Sequence, residues 1–385
     1  MAISPDDIRI CLEDHPARQP GVEPMATPIV QTSLFAYPDF DAYLAASAAE
    51  NRNNVYTRGQ NPTVEVLERK LSALEQGEAC KAFGSGMAAV SAVMMGLLSA
   101  GDHILFVNHT YGPTVKLAKH LKRFGIEHTL LLDLEPDDVR GALRPNTRMV
   151  WLENPGTMMF GTLDIGAIAD IAREHGALTC IDNSWASPLF QKPITHGVDI
   201  VMHSATKYIG GHSDVVAGAV ITTAERMEQI FFRAFTLNGG ILHPFDAWLL
   251  LRGLRTMPVR MKQHEADALR VAEHLRTRSE VKEVRHPAFG KPSNTLTGHS
   301  GLFSFELVNG EFDQVRRFIN ELKRFRIGVS WGGIESLVIS PNRGSNVAYL
   351  DSQRIPHGLI RLSTGLEGAD VLIDDINASF DALAS

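Results

Sequence analysis

Short apolar runs recur at 79–83, 103–107, 128–132, 149–152, 178–181, 200–203 and 217–221, and this spacing restricts the fold more than any other feature of the chain. Helix-like segments lie between them, among them 88–98, 113–124 and 165–175, the last two followed by Gly125 and Gly176. Glycine there can take the left-handed conformation that ends a helix. Strands apolar on both faces and joined through helices predict an α/β class with a mostly parallel seven-stranded sheet, covered on both sides. In such a sheet ligands gather at the carboxyl ends of the strands.

The flanking segments read differently. Residues 1–50, punctuated by Pro16, Pro20, Pro24, Pro28 and Pro38, show no sustained period and predict an extended arm of the kind that lies on a neighbouring subunit. At Asn61 a helix signal begins: a capping side chain, Pro62 at the first helical position, the stripe Val64, Leu67, Leu71 and Leu74, and Gly77 as a stop. A large α/β domain is therefore expected over 51–243. Residues 244–385 change character, with helices expected at 245–257 and 259–276, strands near 302–307 and 359–362, and a final helix near 370–383. They predict a smaller α+β domain, in keeping with 385 residues exceeding what one core usually spans.

A net charge of -7 argues against general affinity for nucleic acid or an anionic membrane. Cys11, Cys80 and Cys180 have neither disulfide-framework nor zinc spacing. The opening residues lack a signal-peptide pattern, no apolar run reaches membrane-spanning length, and a reducing cytoplasm is the expected location.

Lys207 closes His203-Ser204-Ala205-Thr206-Lys207, shortly after Asp182 in Cys180-Ile181-Asp182-Asn183. An aldehyde cofactor such as pyridoxal phosphate needs an amine to hold it as a Schiff base, an acid to keep its pyridine nitrogen protonated, and donors for its phosphate. This segment holds all three residue types. Gly84-Ser85-Gly86-Met87-Ala88-Ala89 fits G-x-G-x-x-A, the dinucleotide fingerprint, which makes a nicotinamide oxidoreductase an alternative. That fingerprint wants an acidic residue after the next strand, and Phe106-Val107-Asn108-His109 carries none. A glycine turn before a helix still suits one phosphate.

Tyr56 and Arg58, two apart in an extended segment, point the same way and can grip one phosphate. Tyr111 lies just past a strand end, where a phenol can stack on a flat ring. Arg361 follows apolar residues and needs a buried partner, either a substrate carboxylate or an internal ion pair. The fifteen histidines show no metal-ligand spacing, so no metal is expected.

Together these motifs resemble the pyridoxal-phosphate enzymes of cysteine and methionine metabolism, the trans-sulfuration family. The resemblance runs from about Val22 to the carboxyl end and is most specific at 199–214, Asp-Ile-Val-Met-His-Ser-Ala-Thr-Lys-Tyr-Ile-Gly-Gly-His-Ser-Asp. Tyr56-Thr57-Arg58 with Asn61-Pro62-Thr63 is the second signature. The resemblance implies an aspartate-aminotransferase-like, fold type I enzyme working as a homodimer with shared active sites, usually paired into a homotetramer. It implies that Lys207 carries the cofactor, Asp182 pairs with the pyridine nitrogen and Tyr111 stacks on the ring. Gly86, Met87, Ser204 and Thr206 would donate to the phosphate, and Tyr56 and Arg58 would reach it from the adjacent subunit. Arg361 would bind the substrate's α-carboxylate, and Ser330, Trp331 and Glu335 would line the distal part of the substrate site.

Within the family, Pro155-Gly156, Trp185 and Ser330-Trp331-Gly332-Gly333 are similar to cystathionine β-lyases of bacteria, which implies a lyase that cleaves a carbon–sulfur bond by β-elimination. Pro188-Leu189-Phe190 and His203-Ser204 are similar to the wider family, so cystathionine γ-synthase, cystathionine γ-lyase and methionine γ-lyase activities stay open. A module that only holds the cofactor is the non-enzyme alternative.

Overall fold

The computed structural model describes residues 3–14 and 24–384. Pro16, Pro20 and Val22 lie outside the described residues.

The apolar runs become β1 (Ala79–Phe83), β2 (His103–Val107), β3 (Glu127–Leu131), β4 (Thr147–Glu153), β5 (Leu178–Asp182), β6 (Ile200–His203) and β7 (Gly218–Thr222). They form one seven-stranded sheet in the order β1-β7-β6-β5-β4-β2-β3. Only β7 runs against its neighbours, β1 and β6. Period-two alternation explains the uninterrupted apolar pattern. Leu105, Val107, Val150 and Leu152 point into one core, while Ile104, Phe106, Met149 and Trp151 point into another on the opposite face. This order also removes the dinucleotide reading, because the glycine turn follows an edge strand and not the central strand of a Rossmann half.

The first fifty residues are not simply extended. They carry α1 (Pro5–Leu12) and α2 (Phe40–Ser47). In α1, Cys11 is fully buried and Asp7 accepts a hydrogen bond from Lys192 Nζ at 2.9 Å, so this helix docks on its own chain. From residue 24 onward the arm does expose its apolar side chains, including Met25, Leu34, Phe40 and Leu44.

Helix α3 (Pro62–Glu75) starts as expected, with Asn61 Oδ1 accepting from Thr63 N at 3.0 Å. Its stop is different. Gln76, not Gly77, takes the left-handed conformation, with φ 58°. Gly77 is instead a close-approach residue, since a Cβ there would lie 2.3 Å from Ile221 Cγ2. Helices α4 (Gly86–Leu97) and α5 (Gly112–Leu121) follow β1 and β2.

The two helices expected at 245–257 and 259–276 are one, Pro244–Arg276, with Pro258 inside it. An interior proline costs about 3 kcal/mol. Burial of Leu250, Leu254, Met257 and Met261 outweighs that cost, at about 1.5–3 kcal/mol per large side chain. These residues pack on the large sheet's core, whereas Ala268, Val271 and Leu275 pack on the second sheet's core, so one rod ties the two together. The second sheet comprises β8 (Val281–Arg285), β9 (Leu302–Leu307), β10 (Arg326–Ile327), β11 (Leu337–Ile339) and β12 (Leu359–Ser363), in the order β10-β11-β12-β9-β8. Among the described residues no helix is long and apolar enough to cross a membrane.

Candidate active site

The carboxyl ends of β4, β5 and β6 converge with β12 of the second sheet. Asp182 is the last residue of β5, in register with Glu153 on one side and Met202 on the other. The sequence shapes its turn locally: Ser184, two residues on, donates both its N (3.0 Å) and its Oγ (2.6 Å) to Asp182 Oδ1. Burial pushes the Asp182 carboxyl up, and the Ser184 bonds, His203 and Lys207 oppose it. Ser184 Oγ also accepts from Ser204 N at 2.6 Å, which ties the β5 turn to the Lys207 segment.

Lys207 Nζ donates to Ser330 Oγ at 2.5 Å and lies 5.3 Å from the centre of the Trp331 ring. Burial, reinforced by the Arg361 charge and opposed by Asp182, lowers the Lys207 amine to about 8. Ser330 has φ 79° and its carbonyl accepts from Arg361 Nη2 at 3.0 Å, so one strained residue touches both cations. Gly332 belongs to the same loop because a Cβ there would meet Tyr208 N at 3.0 Å and the Lys207 backbone at 3.1 Å. Glu335 accepts from Ser213 Oγ at the outer end of this loop.

Arg361, in β12, is only 9% exposed. Among the described residues no carboxylate pairs with it, and burial lowers it to about 10. The internal ion pair weighed above is therefore not formed. A buried guanidinium at the cleft without an anion is a receptor for one.

Tyr111 stands at the start of α5 with its ring half-exposed. Its N–H donates to Glu153 Oε2 at 2.7 Å, and burial together with Asp182 and Glu153 pushes the phenol up. Glu153 was not among the expected site residues. Burial and the neighbouring Asp182 push its carboxyl well up, the bond from Tyr111 N opposes them, and through that bond Glu153 anchors the Tyr111 loop. A second carboxylate closing the strand beside Asp182's was its signal in the sequence. Ser184 was missed too, although Asp-x-Ser is a recognisable turn pattern.

For the phosphate, Ser85 caps α4 by accepting from Ala88 N at 3.0 Å, and Gly86 and Met87 keep first-turn N–H groups that have no intrahelical acceptor. Gly86 lies so close to Ser204 that an added Cβ would stand 3.1 Å from its Oγ. Thr206 is engaged differently: its hydroxyl donates to Ala217 O at 3.1 Å and accepts from Ala217 N at 2.9 Å. Tyr56 and Arg58 pair with each other, Arg58 Cζ lying 5.6 Å from the Tyr56 ring centre. Among the described residues neither makes a hydrogen bond, ion pair or ring contact with Lys207, Asp182, Ser204 or Arg361.

Trp185 is not in the mouth of the cleft. It is buried, its Nε1 donating to Leu302 O at 2.8 Å, and so joins the two sheets. Gly156 is also explained by packing, since a Cβ there would fall 2.3 Å from Asn108 Oδ1. His203 is buried with Nε2 2.5 Å from Glu75 Oε1.

The arrangement fits pyridoxal phosphate. It offers a depressed amine, a carboxylate without a cationic hydrogen-bond partner, and a helix start beside a serine whose hydroxyl has no acceptor among the described residues. One consequence is measurable. The amine must be neutral to attack an aldehyde, and its lowered value puts that transition near pH 8 instead of 10.5. The rate of cofactor capture by cofactor-free protein should rise up to about pH 8 and then level, followed by visible absorbance. A rate still climbing at pH 10 would contradict it.

The model of the Cys/Met metabolism PLP-dependent enzyme family matches residues 10–381. A cystathionine gamma-lyase of Bacillus subtilis is 37% identical, over 93% of this chain and 94% of its own. An L-methionine gamma-lyase of Treponema denticola is 37% identical over 93% of each chain. A cystathionine beta-lyase of Lactococcus lactis is also 37% identical, over 93% of this chain and 94% of its own. A crystal structure of metB from Corynebacterium glutamicum superposes with a TM-score of 0.90 at 32% identity, covering 98% of both chains.

Proposed function

The chain belongs to the family of Cys/Met metabolism PLP-dependent enzymes, and from that membership we propose that it is a carbon–sulfur lyase performing β-elimination on L-cystathionine, to homocysteine, pyruvate and ammonia. The observation that carries the β-assignment is Trp331. Its ring, with Ser330 Oγ, bounds the space in which the Lys207 amine moves. β-Elimination asks Lys207 to serve one carbon and then the sulfur beside the next. γ-Elimination asks it to take a second proton, from the β-carbon, before the γ-substituent leaves. A confined amine suits the shorter itinerary.

Pyridoxal phosphate, when bound, supplies the sink for the electron pair left at the substrate's α-carbon. Arg361 holds the substrate carboxylate and orients the α C–H bond toward Lys207. The neutral Lys207 amine takes the α-proton, the Cβ–S bond breaks, and the protonated amine returns its proton to the departing sulfur. The three-carbon enamine that remains, once released, takes up one water and ends as pyruvate and ammonia. Asp182 would keep a proton on the ring nitrogen and so sustain the sink. Tyr111, held by Glu153, would cover the cofactor ring. Ser204, Gly86 and Met87 would hold the phosphate, with Thr206 beside them. Glu335 receives the distal amine of the substrate.

In this reading residues 51–243 form the cofactor domain and 244–385 the smaller domain. The chain works as a homodimer, paired into a tetramer, in the cytoplasm. The exposed Met25, Leu34, Phe40, Leu44 and Tyr56 support a subunit contact along the arm, because so many apolar side chains in one segment mark an interaction surface. Tyr56 and Arg58 then complete the phosphate site of the neighbouring subunit.

Incubation with L-cystathionine should release pyruvate. Release of 2-oxobutyrate in its place would overturn the β-assignment and support γ-elimination. That second reading is favoured by the relatives named gamma-lyases, which match this chain at the same 37% identity as the beta-lyase.

A further inference from the structure

Lys81 occupies the middle of the edge strand β1, where a lysine ordinarily faces water and blunts pairing with other chains. Here it is 4% exposed. Its Nζ donates to Glu68 Oε2 at 3.0 Å, to Gln60 Oε1 at 2.8 Å and, more weakly, to Gly59 O at 3.4 Å. The rings of Phe231 and Phe235 flank the ammonium at 5.6 and 5.5 Å. Glu68 is also engaged through its other oxygen, accepting from Ala82 N at 2.9 Å.

A buried ion pair of this kind gives little net stability, because desolvation offsets the attraction. What it does give is a fixed geometry. Two of Lys81's three acceptors, Gly59 and Gln60, belong to the turn that presents Tyr56 and Arg58. The rest of that turn is locked as well: Gly59 N and Gln60 N donate to Tyr56 O at 2.8 and 3.2 Å, and Gln60 Nε2 donates to Asn51 O. A Cβ on Gly59 would stand 3.3 Å from Phe231 Cζ, so the turn is pressed onto the same aromatic floor. An exposed tyrosine–arginine pair thus rides on a base that is charged, dry and fully bonded.

We infer that Lys81 is a positioning residue for the active site of the neighbouring subunit, fixing the 56–61 turn so that Tyr56 and Arg58 meet that subunit's cofactor phosphate. The inference rests on the proposed role of Tyr56 and Arg58 across the dimer. Lys81 itself touches neither cofactor nor substrate.

The test uses heterodimers of the full chain in which Lys207→Ala removes the visible band of one subunit, so that the cofactor dissociation constant of the other is read by absorbance. Wild type is paired with a chain carrying Lys81→Met and Lys207→Ala; the coloured site then meets the altered turn. Its affinity for pyridoxal phosphate should weaken about tenfold, the worth of one charge-assisted positioning contact. In the reverse pairing, Lys81→Met in one chain and Lys207→Ala in the other, the coloured site meets an intact turn and its affinity should not change. Weakening in the reverse pairing, or in neither, overturns the inference.

Burial already pushes Glu68 up, so it can take a proton when Lys81 is lost and the fold should survive. Should Lys81→Met nevertheless fail to fold, Gln60→Met keeps the ion pair while cutting its link to the turn, and the same pairings apply. Arg58→Ala separates the two claims. If Arg58→Ala weakens the first pairing and Lys81→Met does not, only the role of Lys81 falls. If Arg58→Ala weakens neither, the cross-subunit reading falls and takes Lys81 with it.

Discussion

Replacing Lys207 with alanine should lower turnover by about four orders of magnitude, the upper range for a positioned acid–base group, and abolish the visible absorbance of the bound cofactor. Both effects come from one atom. Nζ is the lysine amine that burial and Arg361 hold near pH 8, and it lies within reach of Asp182's charge and of Ser330 Oγ. The proton that leaves the substrate's α-carbon and the proton that reaches the sulfur pass through the same nitrogen, so no neighbour can replace half of its work. Ser330 has the wrong basicity, and the Tyr111 phenol is pushed up, away from service as a base at neutral pH. The fold should be spared, because the substitution removes a buried ammonium that has no carboxylate bonded to it. An alanine variant that keeps its turnover would remove Lys207 from the centre of the site; one that has unfolded by circular dichroism would show a structural role in its place.

The parts of this site that could be read in the sequence are those set by strand periodicity. Asp182 ends β5 and Lys207 follows β6, so two continuous apolar runs were enough to bring them to one edge of the sheet. Arg361 stood out because an arginine inside an apolar run must have a partner, but whether that partner is internal is a question of three-dimensional neighbours. Glu153 is the same kind of strand-end carboxylate as Asp182, but its bond to Tyr111 crosses 42 residues and leaves no local pattern. Trp185 shows the same limit, since its indole N–H reaches Leu302 at the junction between the sheets, a contact across 117 residues. The smaller sheet was only partly visible, since β8 (Val281–Arg285) is an edge with no fully buried residue and β10 (Arg326–Ile327) is two residues long. The arm carried too little apolar periodicity to reveal α1, whose short helix is held by long-range contacts such as Asp7 to Lys192.

Replacing Arg361 with methionine should raise KM for an amino-acid substrate about a hundredfold, within the range found when one partner of a buried hydrogen-bonded charge pair is truncated. The same change should leave thermal stability intact or higher, and the two readouts together identify the role. If Arg361 were a structural ion-pair member, its loss would strand a buried carboxylate and lower the melting temperature. No carboxylate among the described residues pairs with it, its one hydrogen bond goes to the Ser330 carbonyl, and burial holds it near 10. The folded protein therefore bears the desolvation of a cation whose counter-charge arrives only with substrate. Methionine keeps most of the volume and removes that cost. Lysine should restore little of the affinity, because a point charge on a shorter reach cannot present two parallel N–H donors to a carboxylate. A methionine variant with unchanged KM would place the substrate carboxylate elsewhere, and one with a lowered melting temperature would return Arg361 to the structural role.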